Sequence, residues 1–489
     1  MPPGEPPAEK PFPPGEYPVV VVGSGPGGLQ TSYCLSRLGV DHAVLSRDES
    51  PGGMFRLFPI YQRLLSWTKP DAPYEPGTRA YEWYDHNSLV AEEPDQQAAL
   101  VPFMDRSYMV PSRPEMEQGL AAFAKKAGIG IRYGCTWEST RRDDDGRLVL
   151  TTSDGEYRCR AAVFALGVTE PWKSPIAGID AVPHYAEARP AREYQGKGVF
   201  VIGKRNSGFE LADGLLPWAR QVFLGSPRPV DTSVIALSSV RVRYLQPYED
   251  AGLGGGTFAL DVALERIERS ADGYRVLGAG TTREGSLDLH VDEVIAATGF
   301  ATPLRDLVEQ CGVRTVAQGR IPALTPYWES DPGSGIYFAG NATQGAAGLK
   351  KHGVGSSSAA VHGFRYNARV MARHLATQLG IEPATERVAG DRADYLLAEA
   401  TRAPELWAQK SYLARVVFGD GQTDIRPLAD FLDHPPPAAV AVAVEMNAEG
   451  EIYPAIYRTD GDGEEHVLPP HPLNDFTGEE YVRELSSLL

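Results

Sequence analysis

Apolar positions in this chain gather into short unbroken runs set between glycine-rich turns and helix-length segments, the pattern of parallel strands buried on both faces. Residues 19–22, four valines bounded by Pro18 and Gly23, predict the first strand. A helix-like apolar pattern over 29–38 and a second strand at 42–45 follow. The same order returns at 198–202, where GVFVI predicts a strand running into a helix through Leu215, and residues 221–224 predict the next strand. Strand, glycine turn, helix and strand, met twice, predict an α/β protein with two Rossmann-like dinucleotide-binding domains. Residues 379–489 read differently. A helix over 393–415, three prolines at 435–437 and two strands at 438–444 and 452–457 predict a small C-terminal α+β extension carrying a hairpin, a dimer contact or a pocket wall.

The turn after the first strand is Gly23-Ser24-Gly25-Pro26-Gly27-Gly28. In such a G-x-G-x-x-G turn Gly23 permits the tight bend, Gly25 lets a pyrophosphate approach the backbone, and Gly28 lets the helix pack on the strand. Gly27 lies beside them, and the helix amino terminus holds the phosphate charge. A carboxylate usually ends the second strand to take the ribose hydroxyls. Ser46 stands there, followed by Arg47 and Asp48, so the ribose falls to Ser46 or to Asp48, with Arg47 counted among the cofactor contacts. The second turn is Gly203-Lys204-Arg205-Asn206-Ser207-Gly208. Arg205 replaces the middle glycine, which holds a pyrophosphate further off while supplying charge of the right sign. The strand that follows ends in Gly225-Ser226-Pro227-Arg228, with no carboxylate for a ribose diol. Ser226 and Arg228 suit a 2′-phosphate, which favours NADPH over NADH; the plainer alternative for Arg228 is a solvated loop arginine.

Composition narrows the partners. The 489 residues, 42% of them hydrophobic, suffice for about two to four domains. Lys and Arg number 47 against 64 Asp and Glu, a net charge of −17 that repels nucleic-acid phosphates and anionic membrane surfaces. The longest apolar runs fall short of the ~20 residues that cross a bilayer, so a soluble, cytoplasmic protein is expected. Residues 1–16, rich in proline and acidic residues, read as a disordered leader rather than a secretory signal. Cys34, Cys135, Cys159 and Cys311 form no C-x-x-C pair, so neither a redox dithiol nor a metal site is expected.

Further segments carry a family resemblance. Val163-Phe164-Ala165-Leu166-Gly167, followed by Pro171, Pro175 and Gly178, and Ile295-Ala296-Ala297-Thr298-Gly299-Phe300 look like the two crossovers between FAD and NADPH domains. Gly335-Ile336-Tyr337-Phe338-Ala339-Gly340-Asn341 looks like a final flavin strand, and Pro51-Gly52-Gly53-Met54-Phe55 like a loop near the flavin. With these, the chain from Tyr17 to Leu375 resembles the flavin-containing monooxygenase and thioredoxin-reductase-like superfamily. Ser112-Arg113-Pro114-Glu115, opening a helical stretch to Ala127, is similar to flavin-containing monooxygenases, and residues 131–137 then align with a strand that offers the Trp137 backbone to adenine.

The resemblance implies FAD and NADPH as cofactors, with Gly53, Met54, Phe55, Trp137, Gly167, Thr298, Gly299, Gly340 and Asn341 among the contacts. It implies an FAD domain at 17–174 with an aromatic insertion at 55–111, an inserted NADPH domain at 175–290, a resumed FAD domain at 291–378, and the extension at 379–489. The insertion is expected as a substrate cover, or else as core or a dimer contact.

The superfamily holds two chemistries. The second turn resembles that of bacillithiol-disulfide-reductase-like proteins, but the cysteine they carry in the first glycine loop is Gly27 here. The resemblance therefore implies monooxygenation: NADPH reduces FAD, O₂ is captured as a C4a-(hydro)peroxide, and one oxygen passes to a small nucleophilic substrate, with amine N-hydroxylation or sulfur oxygenation favoured. His184-Tyr185 looks like the aromatic and histidine linker of flavin monooxygenases, while Ile176 stands where their fingerprint has phenylalanine. The alternatives are a flavin reductase or oxidase without a dithiol, and a non-enzymatic flavin-binding regulator. Lys351 and His352 lie before a helical stretch at 357–375, whose amino terminus the family points at the flavin N1–C2 carbonyl. With Asn206 they are the catalytic candidates. A small-molecule substrate and O₂ are the expected partners, with a homodimer as an option.

Overall fold

The structure, a computed structural model, describes residues 10–61, 63–108, 110–231, 257–346, 350–351, 354–447, 449–459 and 465–489. The chain divides into two compact units. The first comprises the chain up to Phe58, Ser66–Val168 and Thr302–Leu489; the second comprises Pro59–Leu65 and Thr169–Ala301.

In the first unit the valine run has strands on both edges. Gly15–Val22 pairs in parallel with His42–Ser46 on one side and with Gly155–Phe164 on the other, and Val19, Val20 and Val21 have no surface left in water. Arg132–Tyr133 extends this sheet in parallel beyond His42–Ser46, and Ile336–Phe338 adds in parallel to Gly155–Phe164. Leu148–Thr152 and Trp137–Arg142 complete it as antiparallel strands. Helix Pro26–Arg37 follows the first glycine turn and packs against the long helix Val361–Gln378.

The second unit repeats the plan. Thr257–Ser270, Gln221–Ser226, Gly198–Ile202 and Glu293–Ala296 lie side by side in parallel, and the antiparallel strands Gly273–Gly280 and Ser286–Val291 extend the sheet at one edge. Phe200, Ile202, Phe223, Val262 and Val294 form its core.

Several expectations need correction. The boundaries fall at Val168 and Ala301, not at 174 and 290. Glu293–Ala296 pairs with Gly198–Ile202, and Phe300–Ala301 pairs with Glu170–Pro171, so the second crossover and the part of the first from Thr169 onward belong to the second unit, while Val163–Val168 stay with the first. Residues 131–137 are not one strand. Arg132–Tyr133 pairs with His42–Ser46, then Gly134 at φ +64° turns the chain, and Trp137–Arg142 joins the antiparallel edge. The leader does not extend through residue 16. Residues 10–14 are docked: the Tyr157 hydroxyl donates to Phe12 O at 2.7 Å and the Tyr17 hydroxyl to Pro13 O at 2.9 Å.

The C-terminal extension is larger than a hairpin. Val440–Met446 and Ile452–Arg458 do pair antiparallel, within a six-stranded sheet that also holds Leu413–Val417 and Gln422–Pro427. The expected helix over 393–415 stops at Arg402, because Pro404 has no N–H to continue it and starts Pro404–Ala408 instead. The run Leu413–Val417, ending in two valines, becomes a strand flanked on both edges.

This extension and the aromatic insertion are joined by ion pairs whose carboxylates are buried while Arg79 is exposed. Arg79, on the short 3₁₀ helix Arg79–Tyr84, donates to Glu405 at 2.8 Å and to Glu399 at 3.1 Å. Arg415 donates to Glu399 at 2.7 Å. From helix Val361–Gln378, the fully buried Arg365 donates to the carbonyls of Asp85 and Ser88 at 2.9 and 2.8 Å, and the Tyr366 hydroxyl donates to Glu82 at 2.6 Å. Burial alone would raise the Glu405 carboxyl, but the guanidiniums of Arg79, Arg415 and Arg369 outweigh it and bring the pKa down to about 2.

Removing one partner of a buried pair typically costs about 3–5 kcal/mol. Glu405→Gln should lose stability on that scale, read as a lower denaturation midpoint at neutral pH. A folded-state pKa below the ordinary value gives stability that is present above about 4.5 and lost as pH falls toward 2. The parent should therefore weaken across that acid range more steeply than the variant. Parallel curves would show that Glu405 carries no linked charge.

Candidate active site

The first site is made where three segments meet without side chains. Gly23, at φ +115°, has no room for a Cβ, which would lie 2.5 Å from Ala165 O. A Cβ on Gly28 would collide with Gly23 O, and one on Gly27 would lie 2.5 Å from the Gly340 nitrogen. The flavin-loop candidate closes on the same turn. Gly52 N donates to Ser24 O at 3.0 Å, and a Cβ on Gly53 would lie 3.0 Å from Gly25 Cα. Met54 and Phe55 follow, half-buried, in the 3₁₀ helix Gly53–Arg56.

Gly25 differs from its neighbours. Its φ of −76° suits any residue, and a Cβ there would meet nothing closer than Gly53 Cα at 3.7 Å. The fold leaves room for a side chain that the sequence omits. Gly25 is also the N-cap of helix Pro26–Arg37, and no side chain caps that end. An open cradle at a helix amino terminus without a side-chain cap fits a pyrophosphate, so these residues fit a dinucleotide such as FAD.

At the second strand, Ser46 is buried and its hydroxyl is already engaged. It shares a 2.8 Å hydrogen bond with Ser24 Oγ and accepts from Asp48 N at 3.2 Å. Ser24 and Ser46 thus tie the glycine turn to the end of the second strand, a pairing that no motif announces. Arg47 is exposed and Asp48 half-buried beside it. Gly134 N and Cys135 N donate to Asp48 O and Ser46 O at 3.1 and 2.9 Å, which closes this edge. Trp137 lies apart from that closure: its Nε1 donates to Thr140 Oγ1 at 2.9 Å and its ring packs on Phe164.

Gly340 and Asn341 open the 3₁₀ helix Gly340–Gly345 after the last strand, Ile336–Phe338. A buried polar network braces that end. Thr343 Oγ1 donates to Gly340 O at 2.7 Å, Asn367 Nδ2 donates to Thr343 Oγ1 and Ser358 Oγ at 3.1 and 3.0 Å, and Ser358 Oγ donates to Gln409 at 3.1 Å. Lys351 lies in the two-residue strand Lys350–Lys351, paired with Val354–Gly355 ahead of helix Val361–Gln378. His352 lies outside the described residues.

The second site copies the first turn. Gly203, at φ +124°, would place a Cβ 2.5 Å from Ala297 O, and a Cβ on Gly208 would collide with Gly203 O. Arg205 takes the N-cap position that Gly25 holds in the first turn, exposed, ahead of Asn206 and Ser207. Ser226 is half-buried and Arg228 exposed at the end of Gln221–Ser226.

Gly167, at φ +69°, closes the first crossover within its own unit. In the second unit Thr298 Oγ1 donates to Trp172 O, and Trp172 N donates to Gly299 O at 3.0 Å. His184 takes Ala186 N on its Nδ1, so its Nε2 donates to Gly299 O at 2.9 Å; burial lowers its pKa. Tyr185 donates to Glu210 at 2.6 Å, and Glu210 also accepts from Tyr61 N at 3.0 Å. Residues 59–65 of the aromatic insertion therefore fold with the second unit. Sequence reasoning missed Glu210, whose only signal is a carboxylate among apolar neighbours in FELA.

No helix among the described residues is long and apolar enough to cross a membrane, and those residues hold no cluster of metal ligands.

Gly25→Val and Gly27→Val should separate ligand from fold. Gly25→Val is expected to give colourless protein whose apo form melts like the parent apoprotein. Gly27→Val should lower the melting point of the apoprotein itself. Flavin absorbance per chain and apoprotein melting are the two readings, and a yellow, fully loaded Gly25→Val protein would remove the pyrophosphate from this turn.

The sequence family described as pyridine nucleotide-disulphide oxidoreductase matches residues 20–340. The chain is 28% identical over 412 residues to FAD-dependent oxidoreductase domain-containing protein 2 of Danio rerio, covering 73% of this chain and 58% of that protein. It is 28% identical to the probable indole-3-pyruvate monooxygenase YUCCA9 of Arabidopsis thaliana over 50% of this chain and 52% of that one. The chain thus spans less than two thirds of the length of these relatives. Among solved structures, the ornithine N-hydroxylase of Kutzneria sp. 744 aligns with a TM-score of 0.56 at 18% identity, over 75% of this chain and 100% of that one, a likeness of fold.

Proposed function

The chain belongs to the pyridine nucleotide-disulphide oxidoreductase family, and on that premise we propose that it is an NADPH-dependent flavin monooxygenase acting on a small nucleophilic substrate. The observation that carries the reading is the pairing of two nucleotide turns with the absence of a usable thiol. All four cysteines are free. Burial pushes the Cys34 thiol up to about 11 and the Cys159 thiol up to about 12, and it raises Cys311 as well. A thiol that stays protonated at neutral pH is a poor nucleophile toward a disulfide. Cys135 is buried within the sheet-edge turn that pairs with Ser46. None of the four cysteines is paired with another, so the chain offers disulfide chemistry no dithiol, while similarity to a plant monooxygenase favours oxygen chemistry.

Gly23, Gly25, Gly27 and Gly28 would hold the FAD pyrophosphate, Gly53 to Phe55 and Gly340 to Asn341 would flank the flavin, and Arg205 to Gly208 with Ser226 and Arg228 would hold NADPH. FAD, when bound, supplies electron transfer from the nicotinamide and reaction with O₂. The protein's part is to bind, orient and exclude water. Amines and sulfur nucleophiles are the substrate classes we favour.

Anaerobic NADPH should bleach the flavin, and mixing with O₂ and candidate amines, thioethers or ketones should give a product heavier by one oxygen atom. Stoichiometric hydrogen peroxide without such a product would make the protein an oxidase, and turnover of a small disulfide would make it a reductase. Lys351→Met tests the cation assigned to the flavin: FAD should stay bound while flavin reduction slows or peroxide release rises. Parental rates and parental peroxide would place Lys351 outside the reaction.

A further inference from the structure

The second glycine turn carries a buried cation that the nucleotide motif does not call for. Lys204, the second residue of the turn, has a side chain only 2% exposed, and its Nζ donates to Asp261 Oδ1. Asp261 lies on Thr257–Ser270, where it stands directly beside Ser226 in the parallel register with Gln221–Ser226. Its other oxygen accepts from Thr282 Oγ1 at 2.9 Å. Thr281 ties the same place to the following loop, its N donating to Asp261 O at 3.0 Å and its Oγ1 to Pro227 O at 2.6 Å. The Asp261 side chain keeps 24% of its surface open. Lys204, first among its neighbours, holds the Asp261 carboxyl below the ordinary carboxylate range.

In dinucleotide folds a carboxylate ending the second strand takes the ribose diol and repels a 2′-phosphate. Here the second strand ends in Ser226 with no carboxylate, but the neighbouring strand, one spacing of about 4.8 Å away, supplies Asp261 at the same level. An uncompensated carboxylate on the strand adjacent to Ser226 would oppose a phosphate dianion held there. We propose that the Lys204–Asp261 pair sets coenzyme choice: Lys204 cancels a carboxylate that stands beside the 2′-phosphate position, and Asp261 is a latent determinant for a coenzyme without that phosphate. The inference rests on the reading of Ser226 and Arg228 as the 2′-phosphate end of an NADPH site.

The pair makes an uncommon prediction, because its two halves act in opposite directions. Lys204→Met leaves the carboxylate unpaired, so the preference for 2′,5′-ADP over 5′-AMP should fall, by roughly tenfold. Asp261→Asn keeps the side chain's shape and leaves a buried ammonium seeking an anion, so the same preference should rise several-fold. Titration calorimetry of the flavin-loaded protein with the two nucleotides reads both ratios and needs no turnover, and flavin content with circular dichroism verifies folding. If Lys204→Met fails to fold, Asp261→Asn alone decides through the sign of its change. A parent that binds neither nucleotide, or binds 5′-AMP the tighter, overturns the NADPH reading and this inference with it. A parent that prefers 2′,5′-ADP, with variants that leave the ratio unchanged or move it the same way, overturns the inference alone and leaves the site standing.

Discussion

The backbones of three segments must touch at the first nucleotide site. The turn at Gly23 to Gly28, the bend at Gly52 and Gly53, and the end of the last strand at Gly340 approach so closely that side chains at Gly27 or Gly53 would meet main-chain atoms within 3.0 Å. Much of the first unit serves that meeting. The valine strand delivers the turn, Gly52 N anchors the loop to Ser24 O, and Gly155–Phe164 carries both Ala165, against Gly23, and the pairing that aligns Ile336–Phe338. Close packing of main chain on main chain leaves little freedom to adjust, so small displacements in any of the three segments would be felt by the other two.

What braces this arrangement comes from outside the nucleotide folds. Helix Val361–Gln378 packs on the first helix, and it reaches the aromatic insertion through Arg365 and Tyr366 and the C-terminal extension through Asn367 and Gln409, the cap of helix Pro404–Ala408. Arg79, Glu399, Glu405 and Arg415 close the circuit between insertion and extension. Buried charges of this kind are costly unless fully paired, which makes them more useful for fixing one arrangement than for adding stability. The insertion outside residues 59–65 and the extension are thus parts of one unit with the first nucleotide site.

The parts legible in the sequence were those governed by local rules. A valine run, a glycine turn and an amphipathic helix have short-range causes, so the α/β class and both turns could be placed from residue order alone. The crossover boundaries were misplaced because the pairing of Glu293–Ala296 with Gly198–Ile202 is a contact across about ninety residues that no local pattern records. The extension was underestimated for a similar reason: Leu413–Val417 reads as the end of a helix until Pro404 and its strand neighbours are considered together. Ser24 with Ser46, Lys204 with Asp261, and Glu210 with Tyr185 are side-chain pairings between segments, and single-residue motifs do not encode partners.

The two glycine turns also form an experiment already run inside one polypeptide. Gly23 and Gly28 have counterparts in Gly203 and Gly208 with the same steric reason for lacking a side chain, whereas Gly25 has Arg205 as its counterpart. The outer glycines are held by the geometry of the fold, since a Cβ at any of the four would meet main-chain atoms within 2.5 Å. The middle position is free of that geometry, so a side chain can stand there, as Arg205 does. The two halves of one chain therefore agree where their backbones leave no room and differ where room remains.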